Sequence, residues 1–342
     1  MNLIWSQYAD FLDQMSLLWA LILLPVGLTV LIKGADWLVD GAVAIAKQLG
    51  MSPLIIGLTI VAMGTSAPEV AASVKAALQN SPGIAVGNVY GSNIANLALV
   101  GGLCAIIRPI CVSQAVLRRD IPLMLGSALL LYGIFYTGRS LGRSESVFML
   151  ILFAGVILFM IHSERMRAKK DAHVLEEKVS TIEQAAPHQP KSLWLSLFII
   201  FVGLICLAEG ANLTVSSATI IGRHAGLSEI VIGATIIALG TSLPELMTCL
   251  IAAFKGQDDL SVGNLVGSNI FNTLLVIGAS GLVKPYSIES TPQLIGSCYW
   301  LMILVLILFS VIAFAFRKIS KPAGILLFMC YAAYIAYSLG LF

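Results

Sequence analysis

The chain has 342 residues, 58% of them hydrophobic and only 11% charged, with a mean hydropathy of +0.93. A soluble domain carries about 25% charged residues, so the composition excludes a water-soluble fold and predicts an all-α polytopic membrane protein. The net charge of +2 says nothing about acidic partners, but with no basic stripe and the one basic cluster in a loop, nucleic acid is not expected as a partner.

At about 20 apolar residues per crossing, ten transmembrane helices are predicted: 17–46, 52–79, 83–107, 120–137, 145–163, 193–222, 228–255, 262–283, 291–315 and 322–341. The first and sixth are long enough to tilt strongly. The start of the chain lacks a basic run, and its first apolar stretch leads into further membrane sequence, so no cleavable signal peptide is expected. Residues 164–192 read as a solvated linker, too short for a folded domain, between five-helix halves at 1–163 and 193–342. With both termini outside, fourteen basic residues fall on the linker side, among them Lys47, Arg108, Arg118, Arg119, Lys255 and Arg317. Five (Lys75, Arg139, Arg143, Arg223 and Lys284) fall on the other. The bias places the linker in the cytoplasm and the protein in the cell membrane.

Gly34–Pro109 aligns with Gly210–Pro285 at a constant offset of 176, without a gap, and 31 of the 76 positions are identical. Gly57, Thr59, Gly64, Thr65, Ser66, Pro68 and Glu69 recur as Gly233, Thr235, Gly240, Thr241, Ser242, Pro244 and Glu245. Gly87-Asn88 and Gly91-Ser-Asn-Ile94 recur as Gly263-Asn264 and Gly267-Ser-Asn-Ile270. Five spans per half, an odd number, require the second copy to enter the membrane upside down. Two inverted repeats place a substrate site near the midplane, where interrupted helices meet.

The interruptions are Ala62-Met-Gly-Thr-Ser-Ala-Pro-Glu69 and Ala238-Leu-Gly-Thr-Ser-Leu-Pro-Glu245. Proline has no N–H, and its ring crowds the carbonyl four residues back, here Gly64 and Gly240. The helix must kink and release carbonyls beside a carboxylate. In hydrocarbon such groups persist only when satisfied, and a bound cation satisfies both. A carboxylate at a span centre costs about 2.5–3.5 kcal/mol on insertion scales, and two brought together repel unless a cation intervenes. An all-oxygen set without His or Cys suits Ca²⁺ rather than Zn²⁺ or Cu⁺. The carbonyls of Ala62, Thr65, Ala238 and Thr241 precede each proline and are natural ligands for Na⁺. Ser92 and Asn96, like Ser268 and Asn272, lie four residues apart on one helical face. Taken alone they would serve as interhelical glue; beside two glutamates in matching repeats they read as neutral oxygen ligands.

Gly-Thr-Ser-x-Pro-Glu in spans two and seven, with Gly-Ser-Asn-Ile-x-Asn in spans three and eight, resembles the sodium/calcium exchanger family of the calcium:cation antiporter superfamily. The likeness covers nearly the whole chain and fits a prokaryotic-type, short-loop member. It implies a secondary active antiporter, not an enzyme, exchanging Ca²⁺ for Na⁺ by alternating access, with no cofactor and no protein partner. It implies that Glu69 and Glu245 hold Ca²⁺ with the Thr65 and Thr241 carbonyls. It further implies Na⁺ sites at Ala62, Ser66, Ser92, Ala238, Ser242 and Ser268. Asn96 matches the family's usual amide. Asn272 departs from members with aspartate there, which leaves two formal negatives and puts potassium dependence in doubt.

Exchange of Ca²⁺ or another divalent ion for H⁺ is the nearest alternative. A cation channel fits less well, because acidic rings in channels arise by oligomeric symmetry. An intramembrane hydrolase would need a His beside a Ser. Lys33 and Glu209 occupy equivalent repeat positions and either pair across the two-fold or snorkel. Asp36 and Asp40 serve a local charge cluster with Lys33 or an interface rather than transport. The six scattered cysteines read as small core residues, and the four isolated histidines form no metal site.

Overall fold

A computed structural model describes residues 16–179, 192–227, 232, 236, 238–289 and 291–338. Its helices are α1 Leu17–Gln48, α2 Pro53–Thr65, α3 Ala67–Leu78, α4 Pro82–Ile107, α5 Val116–Gly138 and α6 Arg143–Val179. They continue with α7 Leu193–His224, α8 Ala238–Thr241, α9 Leu243–Phe254, α10 Asp258–Val283, α11 Ser297–Phe316 and α12 Lys321–Ser338.

Among the described residues, seven helices are long and apolar enough to cross a membrane, and the bent pair α2 and α3 counts as an eighth. Ten were expected. The expected span 228–255 falls partly outside the described residues, and α9 within it has 12 residues. The expected span 322–341 is described as far as Ser338, where the 18-residue α12 ends, and α12 is not among the seven.

The fifth span was expected to give way to solvated linker at residue 164, but α6 continues to Val179. Lys, Glu, Arg and Ala are good helix formers, so the polarity that ends the membrane segment does not end the helix. Glu164 itself is buried: its Oε2 lies 3.2 Å from Arg119 Nη1, while Arg119 Nε lies 2.6 Å from Asp120 Oδ1.

The most extensive helix pairing is α1 against α7, and glycines make it. A Cβ on Gly34 would stand 2.7 Å from the Leu207 amide nitrogen, and one on Gly210 would stand 2.6 Å from that of Leu31. Only glycine lets the backbones meet at that separation. Residue 31 plus 176 is 207, so the two contacts are the same contact made in both directions.

Two short antiparallel pairings show the same reciprocity. Strand β1, Ile110–Cys111, pairs with β4, Lys318–Ile319, and β2, Ser140–Leu141, pairs with β3, Tyr286–Ser287. Strand β3 stands 176 residues after β1, and each pairs with a strand of the other half.

Asp36 and Asp40 form an interface rather than a cluster with Lys33. Lys255, just past α9, places its Nζ 2.6 Å from both carboxylates and so ties α1 to α9. Lys33 is exposed. The cysteine expectation holds for Cys104 and Cys249, which are buried, and fails for Cys111, which is exposed in β1. Its strand lies beyond the end of α4, where its amide donates to Asp258 Oδ2.

Candidate functional site

Both copies of the Pro-Glu motif build a corner. Helix α2 ends at Thr65 and α3 starts at Ala67, with a 44° bend between them. Ser66 holds the break at φ −85°, ψ 6°, and Ser242 holds its counterpart at φ −95°, ψ 5°. Pro68 and Pro244 sit in the first turn of the new helix, where the missing N–H would be unpaired anyway. Glu69 and Glu245 follow in that first turn. Unpaired helix N–H groups and the positive end of the helix dipole favour a carboxylate there.

The corners face each other. Ser66 Oγ donates to Glu245 Oε1 at 3.4 Å. Thr65 Oγ1 lies 3.3 Å from Asn264 Oδ1, and a Cβ on Gly267 would stand 2.9 Å from that of Ala62. Asn264, Ser268 and Asn272 share one face of α10, so that face is turned to the first corner. On α4, Asn88 Nδ2 donates to the Glu69 carbonyl at 3.2 Å and to Ser73 Oγ at 2.9 Å. This turns the Asn88, Ser92 and Asn96 face toward α3. The second half repeats the device: Asn264 Nδ2 donates to Cys249 Sγ at 3.4 Å, and Cys249 is the position of Ser73 plus 176. Asn96 and Asn272 lie in wide π-helical turns, Ala95–Val100 and Asn272–Val276, a feature frequent at functional sites.

These groups are buried yet unsatisfied. Glu69 is 2% exposed and Glu245 1%. Among the described residues, Glu69 Oε2, Glu245 Oε2, Ser242 Oγ, Ser268 Oγ and both amide ends of Asn96 and Asn272 have no hydrogen-bond partner. Each such group costs about 1–3 kcal/mol, and charged ones more. A hard cation gathering several oxygens removes that cost. No group of three or more His, Cys, Asp or Glu converges among the described residues, so the donor set is two carboxylates plus neutral oxygens.

Of the residues expected at the site, Glu69, Glu245, Thr65, Ser66, Ser242, Ser92, Ser268, Asn96, Asn272 and Ala62 are buried. Thr241 is half-buried, and Ala238 opens α8. The Ala62 carbonyl is not freed by the kink as expected: Ser66 N still donates to it at 3.0 Å. The Thr65 hydroxyl lies 3.4 Å from the same oxygen. Sequence reasoning gave no role to Asn88 and Asn264, although their recurrence at the 176 offset was the available signal. It also missed Thr248, one turn beyond Glu245, whose buried Oγ1 has no partner. A groove of about 600 Å³ between α7 and the corners is lined by Gly64, Pro68, Asn212, Ser216, Thr241 and Pro244.

Paired motif copies, each carrying a buried glutamate inside an apolar helical fold with seven candidate spans among the described residues, define a multi-pass membrane protein. Residues 19–162 and 195–340 match the family described as sodium/calcium exchanger protein. The chain belongs to this family. It is 40% identical over 318 residues to "Putative antiporter CaxA" of Alkalimonas amylolytica, an alignment covering 92% of this chain and 97% of that one. It is 30% identical over 346 residues to "Sodium/calcium exchanger MaX1" of Methanosarcina acetivorans, with coverage of 92% and 97%. Among solved structures it is similar to the sodium-calcium exchanger NCX_Mj soaked with 10 mM Na⁺ and 10 mM Sr²⁺. That likeness has a TM-score of 0.77 at 30% identity, covering 94% of this chain and 99% of that one.

Proposed function

We propose that this chain is a secondary active antiporter that exchanges Ca²⁺ for Na⁺ across the cell membrane by alternating access. The observation that carries the reading is the pair of buried glutamates, one from each motif copy, among unsatisfied neutral oxygens, with Ser66 of the first corner donating to Glu245 of the second. Glu69 and Glu245 hold Ca²⁺ with the Thr65 and Thr241 carbonyls. Na⁺ uses the oxygens of Ala62, Ser66, Ser92, Ala238, Ser242 and Ser268, with Asn96 and Asn272 completing the set. The names of MaX1 and NCX_Mj support Na⁺ as the counter-ion.

The reading includes ten transmembrane helices in two inverted halves, 1–163 and 193–342, with a cytoplasmic linker and both termini outside. The reciprocal contacts of Gly34 and Gly210 and the crossed strand pairs support that symmetry. An ion-free site leaves two buried charges uncompensated, a state too costly to reorient readily. Loaded sites can switch, so exchange is obligatory.

The test is efflux of ⁴⁵Ca²⁺ from loaded proteoliposomes into calcium-free buffer, with protons collapsed by ionophore. Efflux stimulated by external Na⁺, with little in choline, is expected. Efflux indifferent to Na⁺ but driven by a restored proton gradient would assign H⁺ as the counter-ion instead.

A further inference from the structure

We propose that Asn93 and Thr273 are positioning residues that set the pose of the Asn272 amide, an inference that rests on the calcium-site reading above. Asn93 belongs to the Gly-Ser-Asn-Ile motif, yet none of the ion roles assigned above uses it. It is fully buried on α4, and its Nδ2 lies 3.1 Å from Thr273 Oγ1 on α10, in the other half of the chain. The remaining amide hydrogen points to Met302 Sδ on α11, at 3.5 Å.

The Thr273 hydroxyl fixes the polarity of this contact. It has one proton, which goes to the Asn269 carbonyl at 2.8 Å. Its oxygen is then left to accept, and only the nitrogen end of Asn93 can donate to it. The chain Asn93–Thr273–Asn269 spans the entry to the π-helical turn Asn272–Val276. A π turn carries an extra residue and departs from the regular α ladder, so its side-chain bonds decide how its first residues sit. Asn272 is the first residue of that turn, and its own amide has no protein partner to fix it. The brace on its neighbour Thr273 holds it.

The arrangement is one-sided. The position equivalent to Thr273 in the first half is Leu97, which cannot accept a hydrogen bond. Asn269, the counterpart of Asn93, instead turns its Nδ2 back to its own Leu265 carbonyl at 2.8 Å. Asn272 is therefore braced from the opposite half, and Asn96 has no equivalent brace. The sequence repeats both asparagines, but only one of them crosses between halves.

The experiment measures half-saturating Ca²⁺ and maximal rate of ⁴⁵Ca²⁺ uptake by the reconstituted full chain. The variants are Thr273→Val, Thr273→Ser, Asn93→Leu, Asn272→Ala and the double variant Asn272→Ala/Thr273→Val. Thr273→Val removes the hydroxyl at nearly constant volume. It should raise half-saturating Ca²⁺ by about five-fold, the size of one neutral hydrogen bond, with the maximal rate little changed. Thr273→Ser should restore wild-type affinity, and Asn93→Leu should reproduce Thr273→Val from the other helix. In the Asn272→Ala background, Thr273→Val should add nothing, because the residue through which it acts is gone. A full Thr273→Val penalty in that background overturns the proposal, as does failure of serine to rescue. If Thr273→Val does not fold, wild-type affinity in Asn93→Leu overturns it. Absence of calcium uptake by the wild type overturns the calcium reading itself, and is seen before any variant is compared.

Discussion

Ser66 and Glu245 lie 179 residues apart in sequence, and the Ser66 hydroxyl donates to the Glu245 carboxylate at 3.4 Å. One is the hinge residue of the first corner, the other the charge of the second. The two motif copies are therefore in direct contact, each half supplying a polar group to the other's corner. A change at one corner must be felt at both.

Glu69→Gln and Glu245→Gln should each abolish calcium transport while leaving the protein folded. Glutamine keeps the shape and hydrogen bonding of the side chain and loses its charge. Removing one of the two carboxylates that offset a buried Ca²⁺ costs roughly 3 kcal/mol or more, on the order of 100-fold in affinity. The check is ⁴⁵Ca²⁺ uptake into proteoliposomes alongside size-exclusion profiles. Near-wild-type uptake by either purified variant would remove the two-glutamate site.

Asn272→Asp should change the ion and pH profile of uptake. The Asn272 side chain is fully buried, has no protein partner, and shares a helical face with Asn264, which lies against the Thr65 corner. A third carboxylate there either tightens divalent binding or invites proton competition, since like charges close together are unfavourable. Uptake titrated against Ca²⁺ at several pH values distinguishes the two. An unaltered profile would mean that Asn272 does not face the site.

Lys255→Met should leave half-saturating Ca²⁺ within about two-fold and lower stability by no more than about 1 kcal/mol. The lysine lies outside the site and bridges Asp36 and Asp40 on a partly exposed surface. Its removal leaves two aspartates four residues apart, a repulsive pair on a helix. Thermal unfolding in detergent at low and high salt reads the effect, and the loss should shrink as salt screens the repulsion.

Gly34→Ala and Gly210→Ala should destabilise to a similar degree, by about 1–3 kcal/mol each, because an added Cβ meets backbone in both cases. Gly126→Ala is the control: a Cβ there meets nothing within 4 Å, and alanine favours the helix. Midpoints of thermal unfolding in detergent provide the comparison. A neutral Gly210→Ala would show that α1 and α7 separate more readily than their glycine contacts imply.

The corners were legible because proline and glutamate each break a rule of buried helices, and because the breakage occurs twice at one offset. Ser66 and Ser242 at the breaks, and Glu69 and Glu245 in the first turns, follow from that pattern. What the sequence did not disclose depends on distance along the chain. Asp36 and Asp40 were read against Lys33, three and seven residues away, while their partner Lys255 lies more than 200 residues on. Periodicity carries no information about such a pairing. The end of α6 was misplaced because hydropathy marks where a segment leaves the membrane and says nothing about where a polar helix stops. Asn93 escaped notice because its repeat twin suggested equivalence, whereas Leu97 and Thr273 make the two asparagines differ.

The crossed strand pairs bear on how the molecule assembles. Because β1 closes on β4 and β2 on β3, each half leaves unpaired strand edges until the other arrives. The glycine face of α1 is likewise bare without α7. Neither half is thus a folding unit, and biogenesis must hold the first half open while the second is synthesised. A chain severed between residues 180 and 191, beyond α6, and produced as two polypeptides should reconstitute by complementation, the tagged fragments co-purifying as a pair. Either fragment made alone should be degraded.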